Sequence, residues 1–382
     1  MATFKIQDQS FEAPLDPRVG SGFEIRSSPR NYRVEISSTS SPGEVIAALT
    51  QKARHPLLIV DRRVAALHLD HVGTLTGVPR LDFEALEGNK NLSSVLRLID
   101  FLDEHRVTKS STLFVVGGGI TQDVAAVAAS LYKRGIPWTF APSTLLAQGD
   151  SGIGSKSALN HGNAKNQLGL FSAPRNVLMH SGFLDSLAEA DLLSGMGEIF
   201  RLHVTGGAEF LTSFERELPA AREGSLDAIR RLLLGALSVK RAVIEVDEFE
   251  VDLRRSLNFG HSFGHALEKL VDFRIPHGTA VTLGMLVENE IAVRRGILSH
   301  AEHARIVESA RLLVTSQSRK EFASASLTGL LDLLRRDKKA EGDVLKLVVL
   351  ESVGQIRFID FELNQAAEAI LVDSVKAIVD VL

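Results

Sequence analysis

The 382-residue chain contains no cysteine. Disulfides, thiolate nucleophiles and thiolate-ligated metals are therefore excluded. Any transition metal held by this chain must rest on His, Asp or Glu. Long apolar runs are also missing: none approaches the roughly 20 residues that cross a bilayer. The first residues, MATFKIQDQSFEAPLDPR, lack the apolar stretch of a secretory leader. We therefore expect no membrane partner and a cytoplasmic location. Charge of either sign is in little excess, the net value being −4, and the basic residues are scattered. That pattern gives nucleic acid no footprint.

What is present suits a two-domain globular protein, because 382 residues exceed one ordinary core. YRVEIS (32–37) alternates like a strand. PLLIVD (56–61), TLFVVGGG (112–119) and PWTFAP (137–142) are short buried-strand runs. Helical periodicity separates them in GEVIAALTQKA, in NLSSVLRLIDFLDEH (91–105) and in ITQDVAAVAASLYKRG, which Gly135 is expected to stop. Alternating strand and helix predicts a parallel sheet. From about residue 180 the chain becomes helical, ending with a hairpin, VLKLVVLES and QIRFIDF, turning at Val353–Gly354. The expected division is an α/β domain over 1–178, with 1–30 as a polar, loosely packed arm, and a helical domain over 179–382.

Three features carry chemistry. Gly117-Gly118-Gly119 closes a buried strand and opens a helix. Such a turn lets backbone N–H groups approach a phosphate, although a tight strand–helix junction also needs glycine. Asp61, at the end of an earlier strand, suits a ribose hydroxyl or a helix cap. Second, Asn258-Phe-Gly-His261-Ser-Phe-Gly-His265 puts two histidines on one helical face, and His277 follows a proline twelve residues later. Three imidazoles this close suggest a metal. Glu198, in the apolar SGMGEIF segment, is a candidate fourth ligand, because an unpaired carboxylate there would be costly. His161, His203, His300 and His303 lack such company and are read as surface or packing residues. Third, the stretch from Asp150 to Gly169, DSGIGSKSALNHGNAKNQLG, reads as loops offering Asp150, Lys156, Lys165 and Asn166 to a polar, anionic ligand.

Taken together, GGGITQDVAAVAASLYKRG, PSTLLAQGDSGIGSK, KNQLG, SGMGEIF, LNFGHSFGHALE and PHGTAVTLGM resemble the dehydroquinate synthase family of sugar phosphate cyclases. The resemblance runs from about residue 56 to about residue 360. It implies a Rossmann-like NAD-binding domain followed by a mainly helical metal-binding domain, and a homodimer. It implies a divalent metal, Zn²⁺ or Co²⁺, on Glu198, His261 and His277. NAD would meet Asp61, Glu87, Lys90, Gly118, Gly119, Ile120, Asp123, Ser143, Thr144, Leu146 and Lys165, with Ser186 near the nicotinamide. A sugar phosphate would meet Asp150, Lys156, Asn166, Lys240, Glu250, Arg254, Asn258 and His265, and Lys338 or Lys339. Arg134 would reach a phosphate in the neighbouring subunit.

The reaction so implied converts a seven-carbon sugar phosphate to a carbocycle. It proceeds by transient oxidation, phosphate elimination, reduction and aldol closure. The resemblance departs at Arg201, where the family usually has lysine, so contacts to the ring hydroxyls are expected to differ. Ser155 likewise replaces a usual glycine. A cyclase acting on sedoheptulose 7-phosphate to give a valiolone-type cyclitol is the alternative. A metal-dependent polyol dehydrogenase is a more distant one.

Overall fold

A computed structural model describes residues 1–17, 21–162, 164–335, 340–341 and 344–382. Its strands are β1 (Ala2–Ile6), β2 (Gln9–Ala13), β3 (Gly22–Ile25), β4 (Tyr32–Ser37), β5 (Pro56–Asp61), β6 (Arg80–Phe83), β7 (Thr112–Gly117), β8 (Trp138–Pro142), β9 (Lys156–His161), β10 (Ala164–Phe171), β11 (Asn176–His180), β12 (Ala340–Glu341), β13 (Val344–Ser352) and β14 (Gln355–Glu362). Two compact units emerge. One holds residues 18–188, the other residues 1–17 together with 189–382.

The 18–188 unit is built on a seven-stranded sheet of order β3-β4-β11-β8-β7-β5-β6. All neighbours are parallel except β3 against β4. Parallel strands buried on both faces read as unbroken apolar runs. Leu58, Ile59, Val60, Val115 and Val116 duly lie in the core. The strand order reverses between β5 and β7. Val60 pairs with Val116, so Asp61 and Gly117 leave adjacent strands side by side at their carboxyl ends. Ligands of open parallel sheets bind at such a switch point. The expected glycine-turn helix is found at Gly119–Leu131, but it stops before Gly135. A tight turn, Tyr132–Arg134, follows, with Lys133 and Arg134 at positive φ.

The other unit carries a five-stranded sheet of order β12-β13-β14-β1-β2 beside a set of helices. The hairpin of β13 and β14 is as the sequence indicates. The first seventeen residues are not a loose arm. β1 and β2 form an antiparallel hairpin, and β1 runs parallel to β14. Phe4, Ile6, Phe11 and Ala13 point inward, with the Phe4 and Phe11 rings stacked at 5.2 Å. Burying each large side chain contributes about 1.5–3 kcal/mol, enough to hold an otherwise polar segment in place.

Three glycine-bearing helices organise this unit: Glu189–Gly206, His261–Leu270 and His277–Arg294. A Cβ on Gly278 would lie 1.8 Å from the Ser194 carbonyl oxygen, and one on Gly197 would lie 2.2 Å from the Gly278 oxygen. The first and third helices therefore touch backbone to backbone. Gly197 and Gly278 are the contact points, and they set Glu198 beside His277.

Candidate functional site

The helical unit gathers a carboxylate and three imidazoles. Glu198 lies on the Glu189–Gly206 helix and is 1% exposed. Its Oε1 is 3.1 Å from His277 Nε2 and 3.5 Å from His261 Nε2. His261 and His265 sit four apart on one helix, and His277 begins the next. The three rings lie 5.3–5.5 Å from one another. A ligand atom from each of the three histidines lies within 4.8 Å of the others. The residues expected to hold a metal, Glu198, His261 and His277, thus lie together, and His265 stands in the same group.

The ring orientations fit a metal. His277 Nδ1 bonds Glu268 Oε2 at 3.0 Å, and His261 Nδ1 bonds the Phe259 carbonyl oxygen at 3.2 Å. With Nδ1 donating, each Nε2 faces Glu198 and would turn its lone pair to an ion bound between them. A metal-binding histidine needs this arrangement. An oxygen and imidazole nitrogens, with no sulfur, form a donor set for Zn²⁺ or Co²⁺. Burial would raise the Glu198 carboxyl, but Arg201 and the two imidazoles outweigh it and hold it well below the usual range. Burial would also lower His277. Its bonds to Glu198 and Glu268 prevail and raise it to about 10. A cation is what this pair of carboxylates demands. Glu268 was not singled out in the sequence, because its role depends on a fold that returns His277 to the preceding helix. Glu288 escaped for the same reason: its Oε2 accepts the Gly260 N–H at 2.8 Å and fixes the turn before His261.

The turn that precedes His261 holds further expected residues. Asp247 accepts the backbone N–H groups of Val251, Asp252 and Arg254 at 2.9–3.0 Å. Arg254 donates to the Glu248 carbonyl, and Asn258 donates to Glu250. Lys240 is buried on the Leu226–Ile244 helix. Lys338 and Lys339 lie outside the described residues.

His203, two residues beyond Arg201, is a packing residue. It is wedged against Phe210 and Phe214, with Nδ1 bonding the Ile199 carbonyl oxygen at 2.8 Å. Burial lowers its pKa to about 4. The unfolded imidazole titrates near 6.5, so between those values the unfolded chain binds the extra proton. Stability is therefore intact above about pH 6.5 and falls as the pH drops toward 4, by up to about 3 kcal/mol. Urea midpoints at pH 7 and pH 5 should differ less for His203→Leu than for the parent, and an equal difference would contradict this. His161 and His300 are exposed, and His303 is buried against Glu290.

The 18–188 unit collects the other expected residues. Gly118 caps the Gly119–Leu131 helix, with Ile120 in its first turn. Ser143 N donates to the Gly117 oxygen, and Thr144 Oγ1 accepts from Ala147 N. Leu146 leads into a wide helical turn, Ala147–Ser151, that carries Asp150. Asp61 Oδ1 accepts the Arg63 and Val64 N–H groups at 2.8 and 3.3 Å, so one of its oxygens caps a helical turn.

The 150–169 stretch is not simply loops. β9 and β10 form an antiparallel hairpin whose polar faces hide it from a periodicity reading. Ser155, where a glycine was usual, takes φ +60°. The hairpin closes a network with the expected dinucleotide residues. Lys90 Nζ lies 2.6 Å from Asp123 Oδ2 and donates to Asn166 Oδ1 at 2.8 Å. Asn160 Nδ2 donates to Glu87 Oε1 at 2.8 Å, while its Oδ1 accepts Asn166 N at 3.0 Å. Lys165 Nζ is 3.6 Å from Glu87. Asn160 was not among the expected site residues, yet it joins both halves of the network. Ser186 Oγ lies 2.8 Å from His68 Nε2 and donates to the Phe183 carbonyl oxygen. Lys156 and Arg134 are exposed.

Comparison with known proteins accords with this arrangement. Residues 80–194 match the family model described as 3-dehydroquinate synthase N-terminal, and residues 195–340 match 3-dehydroquinate synthase C-terminal. The 3-dehydroquinate synthase of Rhodospirillum rubrum is 34% identical over 363 residues, covering 91% of this chain and 94% of its own. Two solved structures share the fold. One is ValA, a 2-epi-5-epi-valiolone synthase from Streptomyces hygroscopicus with NAD⁺ and Zn²⁺ bound (TM-score 0.79, 24% identity, 92% of this chain and 98% of that one). The other is a 2-deoxy-scyllo-inosose synthase complexed with carbaglucose-6-phosphate, NAD⁺ and Co²⁺ (TM-score 0.77, 20% identity, 91% and 99%). Both domain models and a relative matched over nine-tenths of the chain lead to one conclusion: this protein belongs to the 3-dehydroquinate synthase family.

Proposed function

We propose that this enzyme is a phosphate-eliminating cyclase, a carbon–oxygen lyase that closes a seven-carbon sugar phosphate into a carbocycle. The observation that supports the reading most is the cluster of Glu198, His261, His265 and His277, with Glu268 and Phe259 fixing two of the rings. Glu198, His261 and His277 would hold a divalent ion. The network of Glu87, Lys90, Asp123 and Lys165, with the Gly118–Gly119 turn, would hold NAD. When bound, the ion acidifies sugar hydroxyls, and the dinucleotide supplies a hydride acceptor that is returned to its starting state.

The protein's own part is positional and electrostatic. Lys156 and Arg254 suit a substrate carboxylate, Lys240 and Asp150 suit ring hydroxyls, and Asn166 suits the phosphate. Asn258, oriented by Glu250, and His265 would move protons, since an imidazole titrates near neutrality. Lys338 belongs to the same proposed set. A homodimer would let Arg134 of one copy reach the phosphate bound to the other. None of the helices among the described residues is long and apolar enough to cross a membrane.

The phosphate-binding residues favour this reading over a polyol dehydrogenase, which would take an unphosphorylated alcohol. The test is phosphate release from a panel of six- and seven-carbon sugar phosphates, with NMR of the product. We expect release from the carboxylated seven-carbon substrate. Release from sedoheptulose 7-phosphate alone would move the assignment to a valiolone-type cyclase, and no release from any member would refute it.

A further inference from the structure

The two oxygens of the Glu198 carboxylate are not equivalent. Oε1 faces His277 and His261 at 3.1 and 3.5 Å. Oε2 accepts a hydrogen bond from Arg201 Nε at 2.7 Å, one helical turn along, and both side chains are 1% exposed. Arg201 is the largest side chain so fully buried among the described residues. A guanidinium is planar, permanently charged and rigid about Nε, so it fixes the carboxylate plane as well as neutralising it.

We propose that Arg201 is a positioning residue that confines Glu198 to the metal through Oε1 alone and weakens the hold on the ion. This rests on the reading of the cluster as a divalent-metal site. An oxygen engaged by a buried guanidinium is not available as a second metal donor. A fixed positive charge one residue away from a dication opposes its binding in a medium of low dielectric. The ion is then held by fewer protein donors and receives less charge from its carboxylate, which makes it a stronger Lewis acid toward a bound hydroxyl. The residue that departs from the family's usual lysine thus acts on the metal's ligand and not directly on the sugar.

The test uses the full-length protein loaded with Co²⁺, a chelator competition to measure affinity, and the visible absorption of the bound ion. Cobalt absorbs less strongly as its coordination number rises. Arg201→Met should bind Co²⁺ about tenfold more tightly, within the range that partners behind a ligand exert, and its visible bands should weaken as Oε2 joins the ion. Arg201→Gln keeps a polar side chain for the case that the methionine variant does not fold, and the same outcome is expected. Arg201→Lys restores the charge and should return the affinity toward that of the parent. Folded variants with the parent's affinity and spectrum would overturn the proposal. So would weaker binding, the mark of a residue that only packs the helix. A parent protein that takes up no Co²⁺ at all would remove the metal site itself, and the proposal with it.

Discussion

Alanine in place of His277 should strip the protein of its metal and its turnover together. His277 is the hinge of the cluster: Nε2 lies 3.1 Å from Glu198 and Nδ1 3.0 Å from Glu268. Its removal takes away one donor and deprives Glu198 and Glu268, both buried, of the imidazole that bridges them. The cost should therefore exceed the 10–100-fold loss typical of a partner behind the ligands. We expect metal affinity to fall by more than about 100-fold, and phosphate release to fall with it. Metal analysis of the dialysed variant beside an activity assay checks both. His265→Ala is the companion measurement. His265 shares the 4.8 Å group, but its proposed role is proton transfer, so that variant should keep its metal and lose turnover. A His277→Ala protein that stayed loaded and active would take His277 out of the ligand set.

The second large effect is expected at Gly278, which follows His277 and has no side chain to perform chemistry. A methyl there meets the Ser194 carbonyl oxygen at 1.8 Å, and its own N–H is held by Ser194 Oγ at 3.0 Å. The obstruction is backbone and cannot rotate away, so the two helices must part. Overpacking of this kind costs about 1–3 kcal/mol and sometimes more, and Gly278→Ala should reach the upper end. The helices that part are the ones carrying Glu198 and His277, so metal affinity should fall as well. Gly88→Ala, where a Cβ meets nothing within 4 Å, should change stability by less than about 0.5 kcal/mol. Urea denaturation of both variants, with and without Zn²⁺, separates the loss of packing from the loss of metal. Equal stability of the two variants would contradict the backbone contact.

These cases show which parts of the molecule were legible in the sequence. β5 and β7 were readable because parallel strands buried on both faces need unbroken apolar runs, and PLLIVD and TLFVVG supply them. His261 and His265 were readable because a four-residue spacing fixes a shared helical face before any tertiary contact is known. β9, β10 and the hairpin of β1 and β2 were not. Their polar or alternating residues resemble loop or tail composition until the sheet partners are known. Glu268 and Glu288 were missed because each serves a residue on a neighbouring segment. Arg201 was flagged from the sequence as a departure expected to alter contacts to ring hydroxyls; its bond to Glu198 through Nε needed the structure. Gly197 and Gly278 were quoted only as parts of motifs, and their reason is the close approach of two helices.

On the proposed function, NAD is a returned reagent while phosphate is expelled from a sugar. The most direct measurement follows phosphate and the 340 nm absorbance of NADH together, with the metal-loaded enzyme, excess carboxylated seven-carbon sugar phosphate and NAD⁺ below the enzyme concentration. Many phosphates released per NAD⁺, with no net NADH at the end, is the expected result. NADH accumulating until the NAD⁺ is exhausted, with the sugar's phosphate still attached, would show a dehydrogenase instead.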